Sequence, residues 1–172
     1  MCVNYKKLNE QTRQDAYPLP KIDEVLSNLG GKTFFSTIDL CQGFHQVRLS
    51  DVPDEKGDSA QDKSTMVTPH GTFAWNAVGF GMTNSPGHFS RCMDMVLSGL
   101  HWKTCCVFID DIIIFSNEFD SHVKDLRTVF QRLIGSKLKV KAKKCQLFLK
   151  KLQFLGHTIS AAGIEPIAVR CE

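Results

Sequence analysis

The 172-residue sequence predicts an α+β fold, in which helices pack on one face of an antiparallel sheet. Amphipathic helical patterns alternate along the chain with short runs that are rich in Val, Ile and Phe. The longest apolar run, CCVFIDDIIIFS at residues 105–116, is about twice as long as one buried strand and carries two adjacent aspartates at its centre. No internal repeat or interdomain linker interrupts these patterns, so we expect one structural core.

The first part of the chain predicts a loop region, one helix and two strands. Residues 2–16 are polar and lack periodicity, which favours a short strand and a loop. After the extended YPLP stretch, the apolar spacing across IDEVLSNL at residues 22–29 predicts a helix that ends at the following Gly-Gly pair. TFFSTIDL at residues 33–40 predicts a strand with Asp39 near its end, and FHQVRL at residues 44–49 alternates as a second strand would.

The middle and the end of the chain predict a loop, two hairpins, two helices and a final pair of strands. The acidic segment 50–62 contains Pro and Gly and is expected to be disordered, and a hairpin is expected around residues 69–71. Ser85 is a suitable N-cap for the next helix, with Pro86 at its first position. A later helix is expected to end near Gly135, and two short strands are expected within residues 145–160.

The aspartate pair, Asp110 and Asp111, is predicted to lie at the turn of a hairpin. In a straight strand the two side chains would point to opposite faces, so a turn is needed to direct both at one place. A bound divalent cation would offset their repulsion, and a solvent-exposed Asp-Asp turn is the alternative. Asp39 is a third carboxylate at a strand end. If the two strands are neighbours, three carboxylates could hold two Mg²⁺ about 4 Å apart for in-line phosphoryl transfer.

Composition excludes some classes of protein. Hydrophobic residues make up 42% of the chain, and no apolar run approaches the roughly 20 residues of a membrane span. The polar N-terminus has no apolar core of the kind found in signal peptides. Seven cysteines without a CxxC pair predict reduced thiols in a reducing compartment, with Cys92, Cys105 and Cys106 as small core residues.

The positive charge of the chain is concentrated in residues 124–151, which we call the basic band. The band contains ten Lys or Arg and one acidic residue, so it carries +9, whereas the whole chain carries +3 and the remainder therefore −6. Such a band suits a phosphate backbone, and a solvated lysine-rich helix and loop is the alternative. Aromatic residues that could contact bases or sugars are Phe44, Phe73 and Trp75.

Six motifs in a fixed order resemble the reverse transcriptase of LTR retrotransposons, closest to the gypsy class, over nearly all of the chain. They are VNYKKLN, YPLPKIDEVLSNLGG, IDLCQGFHQVRL, GFGMTNSPGHF, FIDDIIIFS and FLGHTIS. The third is similar to the family's LDLxSGYHQI, the fourth to its PFGLTNAPxxF and the fifth to its YxDD box. One such match would be weak evidence, but six in the right order make a chance resemblance very improbable.

The resemblance implies a polymerase palm, a ferredoxin-like antiparallel sheet with helices on one face, together with partial fingers. The fingers would take about residues 1–32 and 50–83 and the palm about 33–49 and 84–172, with no thumb or RNase H. The implied activity is that of an RNA-directed DNA polymerase, which adds dNTPs to a primer 3′-OH on an RNA or DNA template. The implied setting is a retroelement polyprotein with RNase H and integrase, in the cytoplasm or in virus-like particles and without a membrane.

The resemblance also implies a role for particular residues. Asp39, Asp110 and Asp111 would be the catalytic residues and would bind two Mg²⁺, or Mn²⁺, and Lys144 would protonate the leaving pyrophosphate. Phe44 would exclude a ribose 2′-hydroxyl, although its pattern alone favours a core residue. The implied nucleotide-binding residues are Leu40, Gln42, Gly43, Phe44, Phe80 and Gly81, and the implied primer or template residues are Ile109, Phe154, Leu155 and Gly156.

The sequence departs from the family pattern at several places. Gly79 replaces the proline that usually precedes Phe-Gly-Leu, Asn4 replaces an aspartate, and the loop around residues 51–62 is longer than typical. Residues 1–3 match the middle of the family's R-M-C-V-D-Y, so the basic fingers residues would lie upstream, and we expect residues 1–172 alone to be a poor polymerase. The alternatives are a truncated, non-catalytic nucleic-acid-binding remnant, a different palm enzyme such as a nucleotidyl cyclase, and a decayed copy.

Overall fold

The structure, a computed structural model, describes residues 3–53, 55 and 57–167. The chain divides into two compact units, one drawn from residues 1–18 and 42–91 and the other from residues 19–41 and 92–172. The predicted limits of fingers and palm stay predictions.

In chain order the elements are α1 (Lys6–Gln11), α2 (Ile22–Leu29), β1 (Phe34–Asp39), a 3₁₀ helix (Gly43–Gln46), α3 (Ala60–Lys63), β2 (Met66–Thr68), β3 (Gly71–Phe73), α4 (Ser85–Val96), β4 (Cys105–Phe108), β5 (Asp111–Ser116), α5 (Phe119–Gly135), a second 3₁₀ helix (Ala142–Lys144), β6 (Gln146–Leu149), β7 (Lys151–Phe154), β8 (His157–Ser160) and β9 (Gly163–Pro166).

Two predictions for the first unit are wrong. The short strand expected within residues 2–16 is instead helix α1, which has six residues and is therefore too short to show a periodic apolar face. The loop expected in the same stretch is present at residues 12–16. The strand expected at residues 44–49 is mostly a 3₁₀ helix. Gln42 adopts a left-handed conformation at φ 52° just before it, which turns the chain out of β geometry. The hairpin expected around residues 69–71 is confirmed as β2 and β3.

Hydrogen bonds from serine side chains shape the rest of the first unit. The loop expected to be disordered ends in a helical turn, α3, where Ser59 and Asp62 form a reciprocal capping box. The hydrogen bond from the Ser59 hydroxyl contributes most to lowering the pKa of Asp62. Ser85 is already helical, and its hydroxyl donates to the Gly79 carbonyl at 2.9 Å. The start of α4 is thereby linked to the glycine-rich segment 78–82.

A four-stranded antiparallel sheet is the centre of the second unit, with the order β4-β5-β1-β6. The hairpin predicted around the aspartates is confirmed, because β4 and β5 pair in antiparallel orientation on either side of them. Strand β1 pairs with β5 in a register that runs from Phe34 opposite Ser116 to Asp39 opposite Asp111. Strand β6 lies at one edge, and its Leu147 and Phe148 are exposed.

Both faces of this sheet are covered. One face contributes Phe35, Ile113 and Phe115 to a core that also contains buried residues of α2 and of a second sheet, formed by β7, β8 and β9. The end of the chain therefore has more strands than the two that we predicted. The left-handed Leu155 turns the chain between β7 and β8, and the left-handed Phe148 lies within β6. On the other face α5 packs against β1 and β5, so helices lie on both faces of this sheet and not on one, as we had expected.

A buried histidine, His122, connects α5 to the sheet. Its Nε2 lies 2.7 Å from the Ser36 hydroxyl and its Nδ1 lies 3.1 Å from the Ser116 hydroxyl. The Ser116 hydroxyl donates to Asp125 at 2.7 Å, and the Ser36 hydroxyl accepts from the Phe148 N–H at 3.0 Å. The one proton of the Ser116 hydroxyl goes to Asp125, so Ser116 accepts from His122 Nδ1–H. In a neutral ring Nε2 then has no proton and accepts from the Ser36 hydroxyl. Burial lowers the pKa of His122, consistent with this neutral ring.

Two expectations from composition can be compared with the structure. Cys105 and Cys106 are fully buried in β4, and burial raises the pKa of both thiols to about 12. They are therefore core residues, as predicted, whereas Cys92, expected to be a third, is only partly buried. Among the described residues, no helix is both long enough and apolar enough to cross a membrane.

Candidate active site

The strand register places two carboxylates side by side. Asp39 is the last residue of β1 and Asp111 is the first residue of β5, and the two are directly opposite each other. Opposed residues of an antiparallel pair point to the same face, with Cβ atoms about 5 Å apart. Asp110 immediately precedes Asp111, in the turn between β4 and β5. The structure therefore brings the three predicted catalytic aspartates to one end of the sheet.

The turn that carries Asp110 is short and strained. Phe108 pairs with Asp111, so only Ile109 and Asp110 connect the two strands. Ile109 has a φ of 52°, a conformation that costs a β-branched residue about 1–2 kcal/mol. The Asp110 carbonyl accepts a hydrogen bond from the Leu40 N–H at 3.4 Å, which links the turn to the end of β1. The turn thus fixes the backbone on both sides of Asp110.

Burial and charge disfavour ionisation of the aspartate pair. Burial raises the pKa of Asp110, and the Asp111 and Asp39 carboxylates raise it further. Burial also raises the pKa of Asp111, as does Asp39, whereas Lys144 opposes that rise. Mutual repulsion does raise these pKa values, as the sequence led us to expect, but burial contributes more. The Oδ1 atom of Asp110 is buried and has no hydrogen-bond partner.

Lys144 reaches the same carboxylates from the basic band. Its Nζ lies 2.9 Å from Oδ2 of Asp39, and this hydrogen bond raises the pKa of Lys144. The preceding backbone is held beside β1, since the Lys141 N–H donates to the Asp39 carbonyl at 2.8 Å and the Cys41 N–H donates to the Lys139 carbonyl at 2.9 Å. The 3₁₀ helix Ala142–Lys144 then directs the Lys144 side chain back to Asp39.

The three aspartate side chains are of the chemical type that binds a hard divalent cation, but they are not arranged as a complete set of metal ligands. All three donors are carboxylates, and the Asp110 oxygen without a partner is of the kind that a cation would bind. Within residues 3–53, 55 and 57–167, however, no group of three or more His, Cys, Asp or Glu side chains is arranged to hold a metal ion. The cation in contact with Asp39 is the Lys144 ammonium.

The residues expected to bind nucleotide lie mostly in the first unit, around an aromatic cluster. Phe44 is buried, and its ring packs edge-on against Phe80 and Phe89 with centroids 5.3 Å away in both cases. Phe80 is 52% exposed and also contacts His45, which stacks on Trp75. Phe44 therefore has the packing of a core residue and also supports an exposed ring. Gln42 is exposed and left-handed, and Gly43 is buried.

Sequence reasoning missed Asn9, which holds the glycine-rich segment in place. Its side-chain NH₂ donates to the Gly81 carbonyl at 2.7 Å, and its side-chain oxygen accepts from the Thr83 N–H at 2.9 Å. Asn9 therefore fixes the backbone on both sides of Met82 and next to Phe80. The sequence signal for Asn9 is its place as the last residue of the VNYKKLN motif.

The residues expected to contact primer or template lie in two segments of the second unit. Ile109 lies beside Asp110 in the strained turn. Phe154 is buried in the core cluster, at the end of β7. Leu155 and Gly156 form the left-handed turn between β7 and β8, with φ of 48° and 76°.

Comparison with protein families and curated proteins assigns the chain to a family. The family described as Reverse transcriptase (RNA-dependent DNA polymerase) matches residues 1–159. The chain is 39% identical to the retrovirus-related Pol polyprotein from transposon 297 of Drosophila melanogaster, over 99% of this chain and 15% of that protein. It is 34% identical to the corresponding polyprotein from transposon gypsy, over 95% of this chain and 15% of that protein. It is 37% identical to the enzymatic polyprotein of Cauliflower mosaic virus (strain NY8153), over 96% of this chain and 23% of that protein.

Solved structures show the same fold. The foamy viral protease-reverse transcriptase in complex with RNA/DNA hybrid superposes with a TM-score of 0.82 and 24% identity, over 96% of this chain and 21% of that one. A second structure of that protein, in complex with double-stranded DNA, gives a TM-score of 0.84 and 24% identity, over 96% of this chain and 28% of that one. The predicted α+β polymerase fold is thus confirmed, although the chain spans less than a third of either chain. By family match and by identity to gypsy-type polyproteins, this chain belongs to the reverse transcriptase (RNA-dependent DNA polymerase) family.

Proposed function

We propose that the chain is the catalytic core of an RNA-directed DNA polymerase, which adds dNTPs to a primer 3′-OH on an RNA or DNA template. The observation that carries this proposal is the placement of Asp39 opposite Asp111, with Asp110 in the adjoining turn. In a member of the reverse transcriptase family, three carboxylates at one end of a sheet are suited to nucleotidyl transfer.

Asp39, Asp110 and Asp111 would hold two Mg²⁺, or Mn²⁺ in their place. When bound, the cations would activate the primer hydroxyl and neutralise charge on the phosphates. The chain's own contribution is to fix the carboxylates on paired strands and to bury one oxygen of Asp110 without a hydrogen bond. The backbone of Leu40, which bonds to the turn, is a further candidate ligand.

We assign the nucleotide contacts to individual residues. Lys144, at the carboxylates, would protonate the leaving pyrophosphate, and the amides of Gln42 and Gly43 would bind the triphosphate. Phe44 would exclude a ribose 2′-hydroxyl by its volume, with Phe80 and Gly81 forming the adjacent pocket. Phe44→Val should then admit ribonucleotides relative to deoxynucleotides in competition assays. Unchanged discrimination would leave Phe44 as a packing residue only.

We assign the contacts with primer and template to residues of the second unit. The foamy viral proteins of the same fold bind RNA/DNA hybrid and double-stranded DNA. Ile109, Phe154, Leu155 and Gly156 would position the primer end, and the basic band would contact phosphates. The chain's relatives are Pol polyproteins, so RNase H and integrase would accompany it in an intact element, in the cytoplasm or in virus-like particles.

Primer extension on a primed RNA template, with Mg²⁺ or Mn²⁺, tests the proposal. The assay should use the chain alone and a chimera in which it replaces the matching segment of the transposon 297 polyprotein. We expect extension by the chimera that is lost in Asp110→Asn and kept in Asp120→Asn, an Asp of the exposed start of α5. Extension that survives Asp110→Asn would contradict the proposal. Duplex binding without extension would favour the non-catalytic remnant.

A further inference from the structure

An ion pair occupies the carboxylate that a divalent cation would be expected to bind. The Lys144 ammonium lies 2.9 Å from Oδ2 of Asp39, while Asp39, Asp110 and Asp111 repel one another. An ammonium and a divalent cation cannot both occupy that oxygen without strong repulsion between them. The ion pair therefore bears directly on how the site could accept a metal.

The two partners of the ion pair differ in freedom of movement. The Lys144 side chain is 57% exposed, whereas the Asp39 side chain is 22% exposed. Asp39 belongs to a strand that is paired on both sides, and its carbonyl accepts from the Lys141 N–H. Lysine carries its charge on a flexible four-carbon stem. The ammonium can therefore swing into solvent while the Asp39 carboxylate stays in place.

We propose that Lys144 is an exchangeable counterion of this site, bound to Asp39 when no divalent cation is present and displaced from Asp39 when one binds. The inference rests on the proposed function, because it assumes that the carboxylates bind a divalent cation. It also accounts for the absence, among the described residues, of a closed ligand group. With the ammonium on Asp39, Lys144 interacts with Asp39 and Asp111.

Exchange has two opposite consequences for the site. Lys144 offsets carboxylate repulsion in the metal-free protein, so it stabilises that state. It also competes with the divalent cation, so it weakens the apparent affinity for the metal. A general acid that played no part in metal binding would produce neither effect. The displaced ammonium would remain close to the carboxylates, where it could meet the phosphates of a bound substrate.

Metal binding in the absence of nucleotide tests the exchange without relying on activity. Free Mn²⁺ would be measured by electron paramagnetic resonance during titration of the parent chain and of its variants. Removal of one positive charge beside a divalent ion should strengthen binding, so we expect Lys144→Gln to bind Mn²⁺ about tenfold more tightly. Lys144→Arg, which keeps the charge and the hydrogen-bond donors, should restore the parent affinity.

Lys143→Gln is the matched control, since it removes the same charge from the neighbouring residue and should change the affinity by less than about twofold. Asp110→Asn should abolish the binding in every background. Equal affinities of the parent and Lys144→Gln, both abolished by Asp110→Asn, would overturn the exchange and leave the metal site standing. Absence of Asp110-dependent binding in all variants would overturn the metal site and the exchange together.

Discussion

At the residue scale, Asp110 combines three features that the sequence shows only in part. The adjacent aspartates and the apolar run were visible, and they correctly predicted a hairpin turn. The buried oxygen without a partner and the left-handed Ile109 depend on the backbone of the turn, which pattern reasoning does not determine. The contact between Lys144 and Asp39 joins residues 105 positions apart and likewise required the fold.

The ionisation of Asp110 should destabilise the metal-free protein at neutral pH. Its pKa is raised by burial and then by the neighbouring carboxylates, above the ordinary value of 3.8. A group with a raised pKa stabilises the fold fully below its unfolded-state pKa, and this contribution is lost as pH rises through the folded-state pKa. In EDTA, Asp110→Asn should therefore have a larger free energy of unfolding than the parent at pH 7, with the difference shrinking towards pH 4.

Urea unfolding at both pH values measures this effect, with Asp120→Asn as the control for loss of an exposed charge. A lower stability of Asp110→Asn at pH 7 would show that the ionised carboxylate is compensated within the fold. Added Mg²⁺ should stabilise the parent and leave Asp110→Asn unchanged, because a ligand stabilises only a state that binds it.

At the element scale, sequence patterns succeeded where an element was long or had a clear apolar period. Helices α2 and α5 and the two hairpins lie where they were expected. The strand expected after Gly43 was wrong because the left-handed Gln42 and the 3₁₀ helix depend on local backbone geometry. Helix α1 was missed because Leu8 is the one apolar residue among its six, which gives no periodic signal. The four final strands were undercounted because alternation does not mark short turns.

The hydrogen-bonded chain through His122 joins α5 to the sheet and should be costly to interrupt. Ser36→Ala would leave the Phe148 N–H and the Nε2 of His122 without their partner, at a cost of about 1–3 kcal/mol. Urea unfolding measures this loss, and Ser27→Ala on the exposed side of α2 is the control. The nitrogen spectrum of His122 should also show the proton on Nδ1. A proton on Nε2 would contradict the donor and acceptor roles assigned to Ser36, His122 and Ser116.

At the scale of the whole molecule, charge is distributed unevenly along the sequence. The basic band carries +9 and the remainder −6, so the net charge of +3 hides a large contrast. Part of the band, residues 139–144, is fixed beside the end of β1 by backbone hydrogen bonds. The structure thereby places positive charge next to the candidate active site, a juxtaposition that the linear sequence could not establish.

Neutralising part of the band should weaken the salt dependence of nucleic-acid binding. Each lysine that contacts a phosphate contributes about 0.9 to the slope of log K against log salt. The triple change of Lys139, Lys141 and Lys143 to Gln should therefore flatten the slope by about 2–3 for an RNA/DNA hybrid. Fluorescence anisotropy at several salt concentrations measures it. The same number of substitutions at Lys21, Lys32 and Lys103 is the control, and equal slopes in both triple variants would leave the band without phosphate contacts.

The edge position of β6 has a practical consequence for the protein in solution. On the side away from β1, this strand has no partner among the described residues, and Leu147 and Phe148 are exposed on it. Such an edge can template the addition of a strand from another molecule and so start aggregation. Lysines flank the strand on both sides, at Lys143, Lys144, Lys150 and Lys151, and act as gatekeepers because their charges repel those of a second copy. Salt screens this repulsion, so concentrated salt favours aggregation at the same edge that dilute buffer protects.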